Sequence, residues 1–77
     1  MENQEVLEIQ HVDDIAYFIA FCIETYKNAN GLSGGEVAAL FSESGLTDFL
    51  CENFEPLHTQ SPQWILEEIN EYLSTYR

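Results

Sequence analysis

Residues Ile15 to Ile23 read IAYFIAFCI, an unbroken apolar run of nine. Stepped at about 100° per residue, Val12, Ile15, Phe18, Ile19, Cys22, Ile23 and Tyr26 share one broad face. The far side is little more polar. Tyr17, Ala20 and Phe21 occupy it, with Glu24 its main charge. A strand is the rival assignment for so short a run. No turn residues bracket it and the face continues to Tyr26, which favours a helix. Asp13 and Asp14 suit a first turn, where carboxylates meet the positive end of the helix dipole. Asn30-Gly31 supplies the stop, because glycine enters the left-handed conformation at little cost. The spacing therefore predicts a helix over 12–29. A helix apolar nearly all round needs neighbours on more than one side, so the remaining helices are expected to wrap on this one. A membrane span needs roughly 20 apolar residues. This run is shorter and acid-flanked, so no membrane role is expected.

Downstream, each element carries its own punctuation. Ser33 and Glu36 have capping-box spacing, with Leu32 as staple residue opposite Val37. A second helix over 34–43 would bury Val37, Leu40 and Phe41, and Gly45 would stop it. Ser33-Gly34-Gly35 also resembles a phosphate nest, but Glu36 stands where the anion would sit, and no Lys or Arg is near. Thr47 is positioned to cap a third helix over 48–55. Phe49, Leu50 and Phe54 would face inward there, bracketed by Leu46 and Leu57, and Pro56 would end the helix. Ser61-Pro62 is a strong start signal for a last helix over 62–75. That helix would bury Ile65, Leu66, Ile69, Tyr72, Leu73 and Tyr76. Glu67 and Glu71 would lie outside, with Trp64 and Glu68 at the boundary. The expectation is an all-α single domain of about four short helices around a central first helix. Residues 1–11, with Val6, Leu7 and Ile9 among Glu5, Glu8 and Gln10, are expected to form a flexible arm. A short strand or an early helical turn is the alternative. Residues 12–77 form the helical domain.

Seventy-seven residues bury a modest share of their surface, so the five Phe, four Tyr and one Trp are large pieces for a small core. Fourteen acidic residues face Lys27 and Arg77 alone, a net charge of −12. That sign repels nucleic-acid phosphates and anionic membranes. It suits either solubility or a partner with a basic surface. Cys22 and Cys51 fall in predicted helices. With no basic-then-apolar leader in MENQEVLEIQ, both are expected as reduced thiols of a cytoplasmic protein. No Cys-His cluster or C-x-x-C is present, so neither zinc nor another cofactor is expected.

Asp48, Glu52 and Glu55 share one predicted outer face at i, i+4 and i+7. Like charges so spaced repel by a few tenths of a kcal/mol per pair. The face either meets a cation or tolerates that cost for solubility. Trp64 beside Glu67 and Glu71 is either partial core or an interface anchor, a place where Trp is enriched. His58 has no Asp or Cys near it in sequence, so its ring is expected to tie down backbone between two helices.

The chain resembles a family of short bacterial proteins, domain of unknown function 3791, over about residues 12–73. The residues that carry the likeness are Phe21-Cys22-Ile23-Glu24 with Tyr26-Lys27, then Leu32-Ser33-Gly34 with Glu36-Val37 and Phe41. It continues through Gly45, Asp48 and Leu50. It is sharpest at Leu57-His58-Thr59-Gln60 and from Ile65 to Tyr72. Gly35 stands where the family has a larger, often basic residue. The resemblance supplies no catalytic residue. It implies a neighbourhood with ADP-ribosyltransferase-like proteins, and hence a partner or antitoxin-like role.

The functional expectation is a non-enzymatic protein–protein interaction module. Its candidate partner-binding residues are Asp48, Glu52, Glu55, Trp64, Glu67 and Glu71. The alternative is a self-associating domain, a homodimer among the forms, with Trp64, Tyr17 and Phe21 as its apolar patch. An enzyme would rest on His58 with a carboxylate such as Glu24 brought close by folding.

Overall fold

The computed structural model describes the backbone of residues 2–76 and the side chains of residues 13–76. Its elements are α1 (Glu2–Asn30), α2 (Gly34–Ser44), α3 (Leu46–Glu52), α4 (Phe54–Leu57) and α5 (Pro62–Tyr76). The fold is all-α, with no strand among the described residues. The long dimension of the molecule is 44 Å, about the length of α1 at 1.5 Å per residue. The α1 backbone is helical from Glu2, earlier than the expected start at 12. The expected arm over 1–11, and Val12 on the apolar face, fall on side chains outside the described residues.

α1 packs against α2, α3 and α5, as an apolar first helix should. Its burial is one-sided, however. Phe18, Cys22 and Tyr26, each one turn apart, form a buried seam, and Ile15, Ile19 and Ile23 flank it half-buried. Ala16, Tyr17, Ala20 and Phe21 stay exposed. The other helices are too short to wrap the full circumference, so one apolar side remains uncovered. The most deeply buried side chains come mainly from the later helices: Val37 and Phe41 of α2, Leu46 and Leu50 of α3, Ile65 and Ile69 of α5. Phe41 meets Tyr26 of α1 with ring centres 5.7 Å apart, an aromatic contact that adds to plain area burial.

The helix ends follow their local chemistry. Gly31 takes φ +65° and the Leu32 amide donates to the Lys27 carbonyl at 3.1 Å, a Schellman ending. Leu32 then packs half-buried on the core. Ser33 Oγ accepts from the Glu36 amide at 3.1 Å, and the Glu36 carboxylate accepts from the Ser33 amide at 3.0 Å. The expected capping box is complete. Those contacts, backbone first, hold the Glu36 carboxyl below its usual 4.5. At α5, Ser61 Oγ accepts from the Trp64 amide at 3.2 Å, the N-cap expected there.

The middle of the chain departs from expectation. Gly45, at φ +82°, ends α2 and starts α3 at once. The Leu46 amide donates to Ser44 Oγ at 3.3 Å. The left-handed glycine turns the chain so sharply that helix resumes at Leu46, one residue before Thr47, which therefore makes no cap. Asn53 divides the expected third helix in two. Its Nδ2 donates to the Phe49 carbonyl at 2.8 Å, so the side chain competes with the backbone ladder. Pro56 lies inside α4 rather than ending a helix. It sits in a first turn, where its missing N–H costs nothing. Tyr76, expected in the core, is exposed.

Candidate functional site

Tyr17 and Phe21 stand one turn apart on the uncovered side of α1. Tyr17 is 76% exposed and Phe21 39%. Asp14 lies on the same side, one turn before Tyr17. Opposite them α4 ends, and residues 58–61 lead into α5. His58, Gln60 and Pro62 from that connection line, with Asp14, Tyr17 and Phe21, an open groove of about 520 Å³. Its inner wall is Phe18 of the buried seam and Phe54 of α4. Those two rings meet edge-on at 5.6 Å and 76°.

The connection is held by its own side chains. His58 Nδ1 lies 2.9 Å from the Phe54 carbonyl oxygen and 2.9 Å from that of Glu55. A carbonyl only accepts, so the geometry assigns the proton to Nδ1. In the neutral ring Nε2 is then left as an acceptor. The imidazole also stacks on Phe54 at 4.3 Å and 11°. Gln60 Nε2 donates to the Pro56 carbonyl at 3.4 Å, and Leu57 is buried. Thr59 is exposed. His58 thus ties down backbone between two helices, as its sequence context suggests. Glu24, the carboxylate considered for an enzymatic pair with it, is occupied elsewhere. It accepts from Lys27 Nζ at 3.1 Å and from Asn28 Nδ2 at 3.4 Å.

The acidic candidates are all on the surface: Asp48, Glu52, Glu55, Glu67 and Glu71 are exposed. Asp48 and Glu52 keep their i, i+4 relation on α3, but Glu55 belongs to α4, beyond the break at Asn53. No single helix presents all three. Among the described residues, α2, α3, α4 and α5 carry no basic residue in their last turns, where a cation would oppose the negative dipole end. Trp64 is 39% exposed in the first turn of α5. It is not among the groove residues, which include Tyr17 and Phe21. Glu71 and Glu68 border a smaller hollow of about 190 Å³ beside Phe49 and Tyr72, whose rings lie 5.1 Å apart.

Two features escaped sequence reasoning. Tyr72 Oη donates to the Ser44 carbonyl at 3.0 Å, tying α5 to the end of α2. Nothing local in the sequence marks a bond across 28 residues. Asp14 reads locally as a first-turn carboxylate, yet it also lines the groove. Both thiols are free. Cys51 is half-buried, while burial pushes the Cys22 thiol up to about 12. Among the described residues no cluster of three His, Cys, Asp or Glu side chains is placed to hold a metal ion. No described helix is long and apolar enough to cross a membrane.

The family described as Protein of unknown function (DUF3791) matches residues 17–75, most of the chain. The chain belongs to the DUF3791 family. The match spans Tyr17, Phe21, Phe54, His58, Gln60 and Pro62, so nearly all of the groove lies in the family's own segment. No curated protein and no solved structure matches.

Proposed function

We propose that this DUF3791 member is a non-enzymatic protein–protein interaction module whose partner presents a basic surface. The observation that carries the reading is charge. Fourteen acidic residues stand against two cations, and the described cation, Lys27, is already paired with Glu24 at 3.1 Å. Exposed Asp48, Glu52, Glu67 and Glu71 leave the acidic surplus facing outward. Complementary charge steers association and selects partners, and the same field repels nucleic acid and anionic lipid. The family resemblance directs the reading to a bacterial, cytoplasmic ADP-ribosyltransferase-like partner, restrained as an antitoxin restrains a toxin. An acidic domain over a dinucleotide pocket would compete there with the phosphates.

Self-association is the second reading, supported by exposed Tyr17 and Phe21. Bringing together two chains of −12 each opposes it. The test is a tagged pull-down from the native host, read by mass spectrometry at low and high salt. The expected result is one stoichiometric partner, lost at high salt and lost to the Asp48→Lys/Glu52→Lys/Glu67→Lys/Glu71→Lys variant. A partner retained by that variant at low salt would end the acidic-surface reading. Recovery of only the chain itself would turn the reading to self-association.

A further inference from the structure

We propose that the groove between α1 and the α4–α5 connection is the partner-reading site, and that it takes an arginine side chain of a basic protein. This rests on the interaction-module reading and names the chemistry that module recognises. The groove is not a plain apolar slot. It combines two exposed rings, Tyr17 and Phe21, with a carboxylate, Asp14. His58 adds an acceptor, because the two carbonyls that hold Nδ1 leave Nε2 without its proton in the neutral ring.

Aromatic faces beside carboxylate and imidazole acceptors match a planar guanidinium, which stacks on rings and donates in its plane. An ammonium meets the charge but not the stacking. A volume of about 520 Å³ accommodates a long side chain with part of its backbone. The groove is also rigid on its far wall, since the His58 bonds and the Phe54 stack fix the connection before any ligand arrives. Preformed walls lower the ordering cost of binding.

Charge selects this occupant over a second copy of the chain. A second copy brings a further net charge of −12. Its described cation, Lys27, is engaged with Glu24. A basic segment of another protein brings the sign opposite to Asp14 in the groove and to the net charge of −12.

The test uses two defined probes, hexa-arginine and hexa-lysine peptides, titrated into the full chain by calorimetry at moderate salt. Amide shifts of the labelled protein locate the site. The arginine peptide is expected to bind about fivefold more tightly than the lysine peptide, with shifts centred on Tyr17, Phe21 and His58. Tyr17→Leu and Phe21→Leu keep apolar bulk but remove the ring, and each is expected to erase most of that preference. Tyr17 is so exposed that its variant keeps the fold, which circular dichroism checks. Glu67→Lys/Glu71→Lys on α5 is expected to weaken both peptides alike and leave the preference intact. Equal binding of the two peptides, or shifts confined to α5, would overturn the groove while leaving the basic-partner reading standing. Failure of both peptides to bind would overturn both. A mass that rises with concentration and reverts in Tyr17→Leu would place a second copy in the groove instead.

Discussion

Replacing Gly45 by alanine tests the joint between α2, α3 and α5 in one step. Gly45 sits at φ +82°, and a Cβ there would lie 3.0 Å from Tyr72 Oη. Holding an L-residue in that conformation costs about 1–2 kcal/mol. Displacing the tyrosine hydroxyl weakens its bond to the Ser44 carbonyl, about 1 kcal/mol more. The stiffer unfolded chain offsets about 0.5 kcal/mol. The expected net loss is roughly 2 kcal/mol, or about 8–16 °C in Tm for a domain of this size. Urea unfolding followed by far-UV circular dichroism measures it. Tyr72→Phe alone should cost about 1 kcal/mol. The double variant should cost less than the sum, because the new Cβ no longer meets a hydroxyl. A Gly45→Ala cost below about 0.5 kcal/mol, or strict additivity in the double variant, would refute the joint as described.

Further outcomes follow from the caps, the thiols and the connection. Ser33→Ala should lower stability by about 1 kcal/mol through loss of the α2 cap. Because the folded Glu36 carboxyl lies below its ordinary 4.5, its contribution is complete above that pH and fades as pH falls through the folded value. Glu36→Gln should flatten that acid limb in a pH series of unfolding curves. Cys51 should react quickly with a thiol reagent in the native protein. Cys22, buried and with its thiol raised to about 12, should react only as fast as the fold opens. Unfolded cysteine ionises near 9.0, so stability should decline as pH rises from there toward 12, and Cys22→Ala should remove that alkaline decline. His58→Ala should cost about 1 kcal/mol by removing the ring's bonds to the Phe54 and Glu55 carbonyls. It should also raise amide exchange around residues 57–61.

What the sequence makes legible is what short-range chemistry controls. Ser33 with Glu36, Asn30 with Gly31, and Ser61 with Pro62 each place a helix end through bonds to backbone three to five residues away. The structure follows them. The His58 tie is of the same kind. The middle of the chain reads less well because two rules compete there. Thr47 and Pro56 point to one helix with conventional ends, while Gly45 and Asn53 act on the backbone more strongly and yield two helices with a break between them. Periodicity identifies which α1 residues are apolar but not how many sides its neighbours cover. Tyr17 and Phe21 are therefore visible as aromatic, yet their exposure depends on the lengths of α2 to α5. The groove itself joins residues from 14 to 62. Only tertiary packing assembles such a site, and no local spacing announces it.

The one-sided seam of α1 has a consequence for biosynthesis. Phe18, Cys22 and Tyr26 are completed as a core only when Ile65, Ile69 and Leu73 arrive on α5, more than thirty residues after α1 ends. At translation rates of about 5–20 residues per second, that leaves α1 waiting on the order of seconds. During that interval an apolar helix is presented to the crowded cell without its cover. The acidic residues that follow it charge the nascent chain and keep neighbouring copies apart. The surplus of carboxylates is thus in place before the polypeptide has a fold to decorate.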